Sequence, residues 1–203
     1  MSSIPLLNQL RAEHRPAILA HLLRLEMEDR TQRFGQPVAT EIVERYVEQL
    51  DFSRDAHFGI LHRDQDGSTQ LIGHTHLGID ARGLCGEIGV SVERPFQRRG
   101  LATRMLTRAI VHARNVGVRE IVMYFLPYNT SLMELARSLG MSLSLGSGEG
   151  MARLANLSAS PVSMASEWLD LCNEVGERTV GELAQVAGST SEQMRRLLAG
   201  QLT

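Results

Sequence analysis

The sequence predicts a mixed α/β (α+β) domain followed by a helical appendage, and three observations carry that reading. Short apolar stretches at His57–His62, Leu71–Ile79 and Glu87–Val92 are bounded by turn residues, as strands are. From Gly100 the apolar period lengthens to that of a helix. The small-residue hinge Ser158–Pro161 is followed only by short helical patterns, so residues 1–157 are expected to form the main domain and 158–203 a helical extension.

In chain order, Ile4–Leu7 reads as a short strand. Ile18, Leu22, Leu23 and Leu25 then recur at near-helical spacing. A second helix is expected from Thr40, a candidate N-cap, with Ile42, Val43, Tyr46, Val47 and Leu50 on one face, and Gly35-Gln36-Pro37 separates the two. The turn-rich Arg63–Ser68, containing Asp66-Gly67, joins the first two long strands as a hairpin. Leu101, Met105, Leu106, Ala109, Ile110 and Ala113 share one helical face, with Arg104, Arg108 and Arg114 expected to point away from it. Gly117 is placed to end that helix in a left-handed cap. Glu120–Leu126 is a strand stopped by Pro127. Asn129 opens a helix running through Leu132, Leu135 and Leu139 to Gly140, and Met141–Leu145 with Met151–Leu154 forms a final strand pair.

Composition narrows the class. At 203 residues, 43% hydrophobic and 22% charged, the chain can bury one ordinary core. A formal net charge of -2 argues against a general nucleic-acid binder, which needs cationic surface to displace phosphate counterions. Cys85 and Cys172 lie far apart without CxxC spacing, so free thiols are expected. The stretch after Met1 lacks the pattern of a secretory signal, and Ile18–Leu25 is too short and polar to span a bilayer, so a cytoplasmic location without membrane partners is expected.

The most informative segment runs from Val90 to Ala102: a strand, the short basic loop Glu93-Arg94-Pro95-Phe96-Gln97-Arg98-Arg99, then Gly100-Leu101-Ala102 at the start of the long helix. A helix N-terminus offers unpaired N–H groups and the positive end of the macrodipole, and both favour a pyrophosphate. Gly100 permits close approach to the backbone, small Ala102 keeps the first turn open, Thr103 completes that turn, and Arg98 and Arg99 add positive charge.

Gln97–Ala102 resembles the pyrophosphate loop of the GNAT (GCN5-related N-acetyltransferase) superfamily, and Asn129–Met141 resembles its later helix-and-strand motif. The resemblance covers about residues 1–155. It implies a mixed, mostly antiparallel sheet whose central parallel strands, Glu87–Val92 and Glu120–Leu126, splay apart around acetyl-CoA. Gln97, Arg98, Arg99, Gly100, Leu101, Ala102, Thr103 and Asn129 are the implied cofactor contacts, with Val90 and Val92 meeting pantetheine and acyl carbonyl. Asp29-Arg30, Arg33-Phe34, Tyr46 and Asp51 also resemble the N-terminal segment of a branch that includes bacterial protein-lysine acetyltransferase domains.

Acyl transfer to an amine of pKa about 10.4 requires a base or relay near neutral pH. Glu87, at the start of the strand lining the cofactor, is the candidate, against the alternative of a solvated strand-end carboxylate. A backbone N–H near Val92 would stabilise the oxyanion. Many family members place a tyrosine seven residues after the motif asparagine to protonate the leaving thiolate. Ala136 stands there, which leaves Tyr128, Tyr124, Ser131 or solvent as the acid. Asn129 is read as a pantetheine ligand, an N-cap, or both.

His74 and His76 share one strand face. Plain surface histidines are the first reading, a wall of the acceptor pocket the second and a metal site the least favoured, so no metal is expected. Gly146–Gly150 lies between strands and reads as a hairpin rather than a nucleotide loop. Thr179–Leu198 has helix-turn-helix-like spacing, but acidic residues outnumber basic ones there, which favours a packing or dimerisation role over DNA binding. The expected activity is acetyl transfer to a primary amine, on a small molecule or a protein lysine. A non-catalytic acyl-CoA sensor and a DNA-binding regulator are the alternatives.

Overall fold

The computed structural model describes residues 6–64, 67–146 and 148–173. The chain divides into two compact units, Met1–Met164 and Ala165–Thr203. In the first, strands β1 (Leu6–Leu10), β2 (Ala56–Arg63), β3 (Thr69–Ile79), β4 (Cys85–Val92), β5 (Glu120–Phe125), β6 (Ser142–Leu145) and β7 (Gly150–Leu154) build one sheet of order β1-β2-β3-β4-β5-β7-β6. Helices α1 (Arg15–Arg24), α2 (Met27–Phe34) and α3 (Thr40–Glu48) precede β2, α4 (Leu101–Asn115) connects β4 to β5, and α5 (Thr130–Ser138) follows β5. Residues 161–173 are helical, while the helix-turn-helix-like spacing at 179–198 lies outside the described residues.

Every neighbouring pair of strands is antiparallel except β4 and β5, which run parallel because α4 carries the chain back across the sheet. The two faces are covered differently. Phe58, Leu77 and Ile88 meet Leu106, Ala109, Ile110 and Ala113 of α4, together with Ala136 of α5, in one core. Ile60, Ile72 and Val92 meet Leu101 and Met105 beside it. On the opposite face, Leu10 and Leu71 pack with Ile18 and Leu22 of α1 and Val43 and Val47 of α3.

Several expectations are corrected. The first strand is described over Leu6–Leu10, which extends past the expected end at Leu7; Ile4, its expected start, lies outside the described residues. Thr40 is the first helical residue; Ala39 holds the N-cap position without a side-chain cap. Helix α2 is a separate element that the apolar pattern does not announce, because Met27–Phe34 is almost wholly polar, with only Met27 and Phe34 apolar, and buries no residue. Arg108 does not point into solvent: it is buried on α4 with its guanidinium 5.0 Å from the centre of the Phe58 ring, a cation over an aromatic face. Gly67 has φ +85°, and its amide donates to Asp64 O in the β2–β3 turn; Asp66 of the expected Asp-Gly pair lies outside the described residues. Gly117, at φ +93°, follows α4 as expected.

Candidate active site

The parallel pairing of β4 with β5 covers only Cys85 with Glu120, Gly86 with Ile121 and Glu87 with Val122. Beyond Glu87 the two strands separate, leaving Val90 to Val92 without a strand partner on that side. The Glu93 amide donates to Ile72 O of β3, so by strand alternation the amides of Val90 and Val92 point the other way, into the fork. Gln97 turns back to cap the Val92 carbonyl, with Nε2 donating to it at 3.0 Å and to Asp29 Oδ1 at 3.2 Å.

Below the fork α4 begins. Gly100 is its N-cap at φ +73°, with no side-chain cap, and the first helical bond is Arg104 N to Gly100 O. The amides of Leu101, Ala102 and Thr103 therefore have no partner within the helix. Arg98, at φ +60°, is a second left-handed residue in this loop. A cleft of about 820 Å³ joins fork and helix end; its wall includes Val90, Val92, Gln97, Arg98, Gly100, Leu101, Ala102, Thr103, Tyr128 and Asn129. Arg99 is turned away from it, donating to Pro95 O and lying over the Phe96 ring.

The far wall comes from α5 and α2. Asn129 is the N-cap of α5, its Oδ1 accepting from the Leu132 amide at 3.0 Å, while its Nδ2 donates to Gln32 Oε1 on α2. Arg94 fastens α2 to the β4–α4 loop through Glu26, Glu28 and Asp29. Tyr128 lines the cleft and is 62% exposed. Ala136 is buried in the core, so that position supplies no hydroxyl. Glu87 stands exposed on the last paired rung, at the apex of the fork rather than along the cleft wall.

The sheet face beneath α1–α3 carries a polar cluster that sequence reasoning largely missed. His74 and His76 are not surface histidines: His74 is fully buried, and neither lines the cleft. The cause is the three-helix cover, which encloses that face. His57 stacks between them, 5.6 Å from His74 and 4.5 Å from His76. Burial pushes the His57 pKa down to about 3 and that of His74 well below its ordinary value, so both rings are neutral.

His76 is held from two sides. Its Nε2 lies 3.0 Å from Asp55 Oδ2 and its Nδ1 2.8 Å from Tyr46 Oη. Burial would raise the Asp55 pKa, but hydrogen bonds from the Ile79 amide, His76 and Arg54 outweigh it and hold the carboxyl below its usual range. An ionised Asp55 accepts, so Nε2 donates and Nδ1 accepts from the Tyr46 hydroxyl. Tyr46 Oη in turn accepts from Arg33 Nη2 at 2.8 Å. A second buried set joins His21 to Ser91 and Glu93, with Arg24 closing on the same carboxylate. The histidine spacing at 74 and 76 was the one legible signal; His21, His57 and Asp55 carry no motif.

A model of the Acetyltransferase (GNAT) family matches residues 19–141. Among solved structures, the GNAT domain of S. lividans PAT is 17% identical, with a TM-score of 0.61 over 76% of this chain and 96% of that one. The structure of yncA from Salmonella typhimurium with its cofactor acetyl-CoA is 17% identical, at TM-score 0.56 over 78% of this chain and 97% of that one. The ribosomal-protein-S18-alanine N-acetyltransferase from Escherichia coli is 15% identical, at TM-score 0.57 over 78% and 97%. At these identities the structural likeness is one of fold.

Proposed function

Because the chain belongs to the Acetyltransferase (GNAT) family, we propose that it is an N-acetyltransferase that moves an acetyl group from acetyl-CoA to a primary amine. The observation that carries this is the fork: β4 and β5 part after three rungs, directly above a helix N-terminus with unpaired amides. That arrangement fits a ligand with an anionic pyrophosphate at one end and a slender amide-bearing arm at the other.

Bound acetyl-CoA would supply an activated acetyl thioester. The amides of Leu101, Ala102 and Thr103, with Arg98 alongside, hold the pyrophosphate, and the amides of Val90 and Val92 bind the arm and polarise the acetyl carbonyl. Glu87, at the apex of the fork, takes the proton of the incoming ammonium, and Tyr128, on the cleft wall, returns one to the departing thiolate. Gln97 and Asn129 position these walls through the Val92 carbonyl and the first turn of α5.

Calorimetric titration of acetyl-CoA into the natural chain and into Gly100→Glu tests the reading. Glutamate places a carboxylate where the pyrophosphate belongs, so binding should be lost while the thermal melt remains cooperative. Failure of the natural chain to bind acetyl-CoA would overturn the proposal.

A further inference from the structure

Arg33 reaches from α2 to the cleft wall and lies flat against β4 at Gly89. A β-carbon at Gly89 would sit 2.6 Å from Arg33 Cζ and 2.7 Å from Nη1, so the missing side chain is what admits the guanidinium. Among the described residues this cation has no anionic partner. Its one hydrogen bond among the described residues is to the Tyr46 hydroxyl, its guanidinium lies over the Phe34 and Tyr46 rings, Nε is buried without a hydrogen-bond partner, and no ion pair to it occurs. His21, His57, His74 and His76, whose pKa values its charge helps to lower, offer it no negative charge to pair with. An arginine held this way is pre-organised for a carboxylate, which it binds through two parallel hydrogen bonds.

Its location specifies which carboxylate. Gly89 and Glu87 lie on the same face of β4, about 7 Å apart at two residues of rise, and Val90, whose amide enters the fork, follows Gly89 directly. Glu87 and the Arg33 guanidinium therefore stand on the same side of β4 beside the apex of the fork, where one small acceptor could meet both. We propose that the acceptor is an amine bearing a carboxylate close to the amino group, a free amino acid or a near analogue, with Arg33 as its anchor and Tyr46 orienting the guanidinium. This rests on the acetyltransferase reading above.

The test compares free amino acids with their carboxamides in the presence of acetyl-CoA, following coenzyme A release. In parallel, each is added with coenzyme A and the melting temperature recorded. At least one amino acid should react with kcat/KM tenfold or more above that of its amide, and the same acid should raise the melting temperature where the amide does not. Arg33→Gln should raise KM for the acid at least tenfold, abolish the acid-over-amide preference and leave the acetyl-CoA Kd within twofold. Gly89→Ala, which crowds the guanidinium off the strand without burying a new polar group, should shift the preference the same way. Equal use of acid and amide, preference for a peptide lysine, or no reaction with any amino acid while acetyl-CoA binds would overturn the carboxylate anchor alone. Absence of acetyl-CoA binding would overturn both readings.

Discussion

The Tyr46 hydroxyl lies 2.8 Å from His76 Nδ1 while accepting from Arg33, so one oxygen joins the cleft-lining arginine to a histidine otherwise tied to Asp55. Tyr46→Phe removes that oxygen and leaves a partly buried donor and an enclosed ring nitrogen unpaired. Desolvated groups without partners cost about 1–3 kcal/mol. The melting temperature should fall by roughly 2–12 °C at the 2–4 °C per kcal/mol of a domain this size. An unchanged melt would show that water replaces the hydroxyl at no cost.

Acid should unfold the protein early. Burial lowers the pKa of His57 to about 3 and that of His74 well below 6.5. Above about pH 6.5 both rings are neutral in folded and unfolded chains, and their burial has no pH-dependent cost. Below it the unfolded chain binds protons that the folded chain refuses, so stability falls by about 1.4 kcal/mol per pH unit for each ring until the folded pKa is reached. Urea midpoints at pH 7.5 and 5.5 measure this. In His57→Phe, which keeps the stacking against Phe52, the loss between those two pH values should shrink by about 1.4 kcal/mol; an identical loss would mean that His57 titrates normally.

Asn129 serves two helices, and two substitutions separate its roles. Asn129→Asp keeps an oxygen for the Leu132 amide but gives up donation to Gln32, whereas Asn129→Ala loses both. Loss of an N-cap costs about 1 kcal/mol. Alanine should therefore be clearly less stable than aspartate in urea titration, and equal stability of the two would show that the cap contributes nothing.

The sheet and the β4–α4 loop were legible because their signals are local. Short apolar stretches bounded by turn residues mark β2–β4, and Gly100 followed by the 3.6-period of Leu101, Met105 and Ala109 marks the strand-to-helix turn. Asn129 was legible as a cap for the same reason. What escaped was set by tertiary cover. Arg108 has the polarity of a surface residue, yet an aromatic ring encloses it, and no pattern in α4 announces Phe58. His74 and His76 show the alternation of any half-exposed strand, and only the folding of α1 and α3 across that face makes them core. Arg33 gains its place from a glycine 56 residues later, a pairing that no single-chain periodicity encodes.

Glu87 provides the test in which stability and chemistry should part. Its side chain is exposed on the last rung shared by β4 and β5, so Glu87→Gln should leave the melting temperature within 1–2 °C and the acetyl-CoA Kd unchanged. A positioned base contributes about 10²–10⁴-fold. With an amine acceptor, kcat/KM should therefore drop by at least a hundredfold at pH 7 and recover progressively toward pH 9–10, as more of the amine arrives already deprotonated. A drop that stays constant across that pH range would assign Glu87 to positioning instead, and no drop at all would move the base elsewhere on the fork.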